Sequence, residues 1–133
     1  MAMDVVLRCV AVGIGGAVGS IARYGLSIWG GRFETRLPWG TFAANAIGCL
    51  LMGVVMFFVI ERSHQVPEWV RLMIAVGLLG GLTTFSTFSY ESMTLLREGH
   101  VGSMFVYLAL SLVAGIGAAA LGWFAADGVS GIF

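Results

Sequence analysis

No lysine occurs in the 133 residues, and the positive charge rests on seven arginines balanced by seven acidic residues. No Lys- or Arg-rich run exists to attract nucleic acid or an anionic lipid surface. Charged residues of every kind make up only 11%, against about 25% in ordinary soluble domains, which excludes a surface that water could solvate. Proline occurs twice, at Pro38 and Pro67, each outside the long apolar runs. Cysteine is equally sparse. Cys9 and Cys49 both lie inside apolar segments, where they read as small buried hydrophobes and not as a disulfide framework. What remains is apolar: 59% hydrophobic residues and a mean hydropathy of +0.95. The length suits one domain, residues 1–133, and four spans of roughly 20 residues would occupy about 80 of its positions.

Four such spans follow one another. The first runs from about Val5 to Trp29, the second from Trp39 to Ile60, the third from Trp69 to Leu96 and the fourth from Val101 to Ala126. The apolar N-terminus is too long for a signal-peptide core of roughly 7–15 residues and lacks a convincing cleavage site, so it reads as the first helix. Loop and interface residues separate the spans: Gly30 to Pro38, Glu61 to Pro67 with His64, and Arg97 to His100. Trp29, Trp39, Trp69 and Trp123 fall near span ends, as interfacial anchors do. An all-α membrane protein is the predicted fold class.

Four spans place both termini and the second loop on one side of the membrane. That side carries Arg8, Arg62 and Arg71; the other carries Arg32, Arg36 and Arg97, with Arg23 close by. Three against three or four gives the positive-inside rule little to act on. A chain so balanced is expected to insert both ways round and to pair as an antiparallel, dual-topology homodimer. Such a dimer builds from two chains the inverted repeat that larger transporters carry in one. The competing expectation is a single orientation fixed by the lipid or translocon context.

Glycine is plentiful, at 20 residues. Gly15 and Gly19 make a small-xxx-small pair in the first span, and Gly115 with Ala119 repeats the spacing in the fourth. Small residues let helix backbones approach where lipid removes the hydrophobic drive.

The third span is different, because residues 77–91 read GLLGGLTTFSTFSYE. Its most polar and glycine-rich stretch lies at mid-membrane, near Leu82–Thr83. Ser and Thr can bond back to their own helix carbonyls and leave the helix regular. Paired glycines before two β-branched threonines make a poor helix interior, however, and predict a break near Gly80–Thr84. Non-helical backbone at that depth must be buried in protein or line an aqueous cavity. Freed carbonyls suit a cation such as Na⁺, while hydroxyl donors and electropositive ring edges, with no Lys or Arg, suit a weakly held anion. Phe85 and Phe88 taken alone are equally packing residues.

Further polar residues lie in or near the spans. Asn45, about six residues into the second, either bridges helices or lines a path. Arg23 either snorkels or gathers anions at a vestibule. Glu91 is the only acid within a span, a functional candidate by default and otherwise a snorkelling group. Tyr107 and Ser111, one turn apart, share a face of the fourth span. His64 and His100 have no metal-ligand partners at suitable spacing.

Four segments, GGAVGSIARY at 15–24, PWGTFAANAIG at 38–48, GGLTTFSTFSYE at 80–91, and Tyr107 with Ser111, make the chain resemble the Fluc/CrcB family of fluoride channels over essentially its whole length. The third-span segment is the most specific. The resemblance implies an antiparallel homodimer in the bacterial inner membrane, with a fluoride pathway along each side of the dimer interface. Phe85 and Phe88 would meet fluoride by their ring edges. Asn45, Tyr107 and Ser111 would continue the polar track, with Thr87 beside it. A central structural Na⁺ would sit on the backbone carbonyls of Gly80 and Thr83 from both subunits. Arg23 would lie at the vestibule and Glu91 near the pore. The implied activity is passive: HF crosses the membrane, dissociates in the less acidic cytoplasm, and the trapped anion leaves under the negative membrane potential.

A small dual-topology, proton-coupled multidrug exporter is the main rival. It needs an embedded carboxylate in the first span, where no Asp or Glu follows Asp4. A non-transporting assembly subunit explains the glycines but not the mid-membrane hydroxyls. An enzyme has no support: the sequence holds no nucleophile–base pair, metal cluster or phosphate loop.

Overall fold

A computed structural model of the chain describes residues 2–61 and 66–130. Arg62 and His64, which figured in the charge balance and in the search for metal ligands, lie outside the described residues. The described residues are helical nearly throughout: α1 (Ala2–Gly30), α2 (Trp39–Glu61), α3 (68–82), α4 (Phe85–Arg97) and α5 (Val101–Ser130). The last turn and a half of each apolar run decides where these helices stop. Gly30 and Gly31 end α1, and the Pro38 carbonyl then accepts the Phe42 amide to start α2. Pro67 opens α3 in the same way, its carbonyl accepting the Val70 and Arg71 amides.

Gly99 closes α4. Its φ of 79° is the left-handed value that glycine adopts without penalty. The His100 amide donates to the Leu95 carbonyl at 2.8 Å and the Gly99 amide to the Leu96 carbonyl at 3.1 Å, which is the Schellman pattern. This tight stop lets α5 begin at once with Val101.

Four stretches are long and apolar enough to cross a membrane: Met3–Gly30, Trp39–Ile60, Glu68–Arg97 and Val101–Ser130. They agree with the spans read from the sequence to within a few residues. Arg8 and Glu68 form a two-pronged ion pair at 2.9 Å per prong, so the start of α1 and the start of the third span share one end of the bundle. That is the placement an even number of crossings requires. Both cysteines are free thiols.

Packing follows two seams. α3 lies along α1, and α5 lies along α2. In the first seam a Cβ on Gly15 or Gly19 would overlap the backbone of Met73 or Leu78, and one on Gly81 would press on Gly16. The backbones themselves are in contact. In the second seam the glycines that matter are Gly53, against the Ala119 carbonyl, and Gly122, against the Leu50 carbonyl. Gly115, expected to pair with Ala119 as a packing motif, meets only the Cys49 sulfur at an ordinary 3.6 Å. The spacing rule identified the right helix and the wrong glycine, because Gly115 faces the cavity described below. Between the seams, Ala44, Leu79 and Leu82 form the buried core.

The third span holds two further findings. Residues Leu72–Leu79 wind as a π-helix, which no feature of the sequence announces. The interruption expected over Gly80–Thr84 is narrower than that. Gly80 and Gly81 stay helical, Gly81 in close backbone contact with Gly16 of α1, and only Thr83 (ψ 151°) and Thr84 (φ −150°, ψ 120°) are extended. The span as a whole remains one 30-residue course, Glu68–Arg97.

Candidate pathway residues around the third span

Two extended threonines at mid-span leave backbone groups to satisfy, and Asn45 meets them. Its Oδ1 accepts the Thr84 amide at 2.8 Å, and its Nδ2 donates to the Thr84 carbonyl at 3.2 Å. Asn45 therefore bridges α2 to the third span, and it also borders a cavity. In a continuous helix the Thr84 amide would serve the Gly80 carbonyl, four residues back. The Thr87 amide, which would serve Thr83, donates instead to the Thr84 side chain at 3.2 Å. Thr84 is thus the side-chain cap of α4, and it also accepts a hydrogen bond from or gives one to its neighbours: its Oγ1 donates to Thr87 Oγ1 at 3.0 Å. The remaining hydroxyls of the span behave as back-bonders. Ser89, Ser92 and Thr94 each donate to the carbonyl four residues earlier.

Asn45, Phe85, Phe88 and Ser111 line one cavity of about 340 Å³, together with Thr83 and Thr84. The Ser111 hydroxyl is buried without a hydrogen-bond partner. Phe85 forms an open wall of this cavity, with 80% of its surface exposed. Its ring lies 5.9 Å from that of Phe88, and Phe88 lies 5.2 Å from Tyr107 with the planes at 52°. Tyr107 is buried, and its hydroxyl donates to Glu91 Oε2 at 2.7 Å. The other carboxylate oxygen of Glu91 accepts from Thr41 Oγ1, also at 2.7 Å.

Glu91 and Thr41 then border a second cavity of about 380 Å³, formed with the loop after α1 and including Ser27, Arg36 and Trp39. A chain of polar and aromatic groups therefore connects the two cavities: Ser111 and Asn45, Phe88, Tyr107, Glu91, Thr41. Arg23 does not border the second cavity. It stands one turn before Ser27, whose hydroxyl donates to the Arg23 carbonyl, and its Nε is buried without an acceptor. Thr87 lies in the cap of α4, outside both cavity walls.

Thr41 is the member that sequence reading missed. A signal existed: it precedes Asn45 by one helical turn, so the two occupy one face of α2. Among the described residues no group of three His, Cys, Asp or Glu side chains could hold a metal ion.

The chain is similar to known proteins over most of its length. Residues 10–123 match the family described as CrcB-like protein, Camphor Resistance (CrcB). The chain is 43% identical over 122 residues to a protein of Desulfotalea psychrophila named fluoride-specific ion channel FluC, covering 92% of this chain and 94% of that one. It is 47% identical over 104 residues to a protein of the same name from Phocaeicola vulgatus, covering 77% and 84%. A third, from Chloroflexus aurantiacus, is 43% identical over 113 residues, covering 84% and 89%.

Proposed function

The chain belongs to the CrcB-like family, and on that ground we propose that it is a fluoride-specific ion channel that passively exports the anion down its electrochemical gradient. The channel is not an enzyme, and no catalytic group is assigned. One observation supports the residue-level reading: hydroxyl, amide, aromatic and carboxylate groups stand in succession between two cavities.

A dehydrated fluoride needs short-range donors and no strong cationic trap, since tight binding would stop conduction. Ser111 supplies an unengaged hydroxyl, and the edges of Phe85 and Phe88 carry the positive end of the ring quadrupole. Tyr107 comes next on the track. Its hydroxyl hydrogen bond is accepted by Glu91, and the second carboxylate oxygen accepts from Thr41, so Tyr107 would turn to an anion only by releasing Glu91. Both carboxylate oxygens are thereby occupied, which orients the hydroxyls without leaving a free anion site on the track. Arg36, in the wall of the second cavity, would supply positive potential where the track meets water, with Arg23 one helical turn before Ser27 of the same wall.

The assembly follows from what a single chain leaves open. Phe85 on the pathway is 80% exposed, and Leu112 and Ile116 in the same cavity wall are 60% and 72% exposed. A conducting pathway cannot have a wall open to lipid, so a second copy closes it. The balanced arginines favour the antiparallel, dual-topology arrangement in the inner membrane. Two carbonyls, of Gly80 and Thr83, have lost their regular helical donors to Asn45 and to the Thr84 cap. Hard oxygen donors of this kind fit Na⁺. Gly80 and Thr83 from both subunits would hold it, and it would supply fixed positive charge binding the two third spans together.

Ion efflux from liposomes containing the purified protein, under a K⁺/valinomycin potential, tests the function. Fast loss of fluoride with chloride retained is the expected result. If neither anion leaves, the channel reading fails, and proton-coupled export of cationic drugs through Glu91 becomes the next hypothesis.

A further inference from the structure

Arg71 stands on α3 one turn after Glu68, the carboxylate best placed to pair with it. Glu68 is already engaged. Arg8 Nη1 donates to its Oε1 and Arg8 Nη2 lies 2.9 Å from its Oε2, so both prongs are used. Among the described residues no other ion pair reaches Arg71, and its Nε is buried with no acceptor. A buried cationic donor left unsatisfied is costly, and a ligand that supplies oxygens recovers that cost.

The space beside this guanidinium is apolar. A cleft of about 210 Å³ between α2 and α3 is walled by Val54, Phe58, Val59, Val66, Ile74 and the aliphatic stem of Arg71, the one charged residue among the described residues of its lining. The cleft lies at an end of the bundle. Arg71 is three residues past the start of the third span, and Trp69, 40% exposed, marks the interfacial level beside it. An apolar slot walled in part by the stem of an arginine that has no ion pair among the described residues, at headgroup depth, suits a phospholipid: phosphate above, hydrocarbon below.

We infer that Arg71 and the α2–α3 cleft bind one acidic phospholipid, its phosphodiester on the guanidinium and an acyl chain along the valines. The planar fork of arginine matches two phosphate oxygens at once. Basic pockets between membrane helices recognise lipid headgroups by this means. A headgroup with a single net negative charge, as in phosphatidylglycerol, neutralises the single cation. Phosphatidylcholine brings a quaternary ammonium that meets no anionic side chain among the described residues of the cleft. The exposed face assigned above to a second copy lies on α4 and α5, at Phe85, Leu112 and Ile116, and does not include the cleft.

Native mass spectrometry of the purified protein, equilibrated in detergent with equal amounts of phosphatidylglycerol and phosphatidylcholine, tests the site. The wild-type protein is expected to retain phosphatidylglycerol in preference to phosphatidylcholine. Arg71→Gln should lower that retention at least about fivefold, equivalent to about 1 kcal/mol of binding. Val59→Trp fills the cleft with the arginine still present and should lower retention as well; it carries the test alone if Arg71→Gln does not fold. Arg32→Gln, in the exposed loop after α1, should change nothing. Equal retention of both lipids by the wild type, or undiminished phosphatidylglycerol on Arg71→Gln, overturns the inference. So does dissociation of dimers in Arg71→Gln with no lipid on the wild type, since the cleft would then belong to a second copy.

Discussion

Residues 68–82 of the third span touch α1 backbone to backbone, whereas residues 85–97 reach the rest of the bundle through hydroxyls, one carboxylate and stacked rings. The first half is wedged between glycines and cannot shift without collision. The second half is held by side chains that can exchange partners. Thr83 and Thr84 are the junction, and Asn45 is the clamp on it. The pairing of an immovable half with an adjustable one puts the donors of the proposed pathway on a fixed frame while leaving their hydrogen bonds open to an anion.

Substitutions separate the two halves by what they destroy. Gly19→Val should have the largest effect, because its Cβ alone overlaps the Leu78 carbonyl. Overpacking against backbone exceeds the about 1–3 kcal/mol typical of crowded side chains, so no folded protein should elute on size exclusion; a normal peak would mean the seam can yield. Phe85→Ile should remove fluoride flux from liposomes to the level of empty vesicles while the elution profile stays unchanged. Near-normal flux there would take this ring out of the mechanism.

Asn45→Ala strips both bonds from Thr84 and should lower stability by about 1–3 kcal/mol, read as a shift in thermal unfolding in detergent. If the midpoint does not move, the junction is held by the seam alone. Tyr107→Phe removes one hydrogen bond to Glu91 and should cost about 1–1.5 kcal/mol, with fluoride flux reduced but chloride still excluded. An unchanged flux would assign Tyr107 to packing. Gly115→Ala should be the mildest, within about 0.5 kcal/mol, because its Cβ would meet only the Cys49 sulfur at contact distance. A large destabilisation would restore Gly115 to the packing seam.

Hydropathy made the four spans legible, and Gly30, Pro38, Pro67 and Gly99 made their ends legible, because these residues act through local backbone geometry. The expected disturbance at mid-span was legible too, but its position was not. Gly80 and Gly81 look like helix breakers in the sequence, yet both stay helical, Gly81 pressed against Gly16, and the extended residues are the two threonines beyond. The same limit explains Gly115: a spacing identifies a helix face, and only the neighbour decides which glycine on it is pressed. Asn45, Phe85, Phe88 and Ser111 were singled out from the sequence, and they border one cavity. Thr41 was not, because its significance lies in a partner 50 residues away.

By itself the sequence determined the solvent, the number of crossings, the balanced charge and the cluster of hydroxyls and rings at mid-membrane, all of which follow from composition and local order. The tertiary structure alone decided that Asn45 takes the Thr84 amide from Gly80, that Glu91 accepts from both Thr41 and Tyr107, and that Arg8 takes Glu68 and leaves Arg71 without an ion pair among the described residues. Each of these is a competition for a hydrogen-bonding partner. Where hydrocarbon offers no water as a substitute, the outcome depends on which group stands within 3 Å, and that distance is set by how the helices pack.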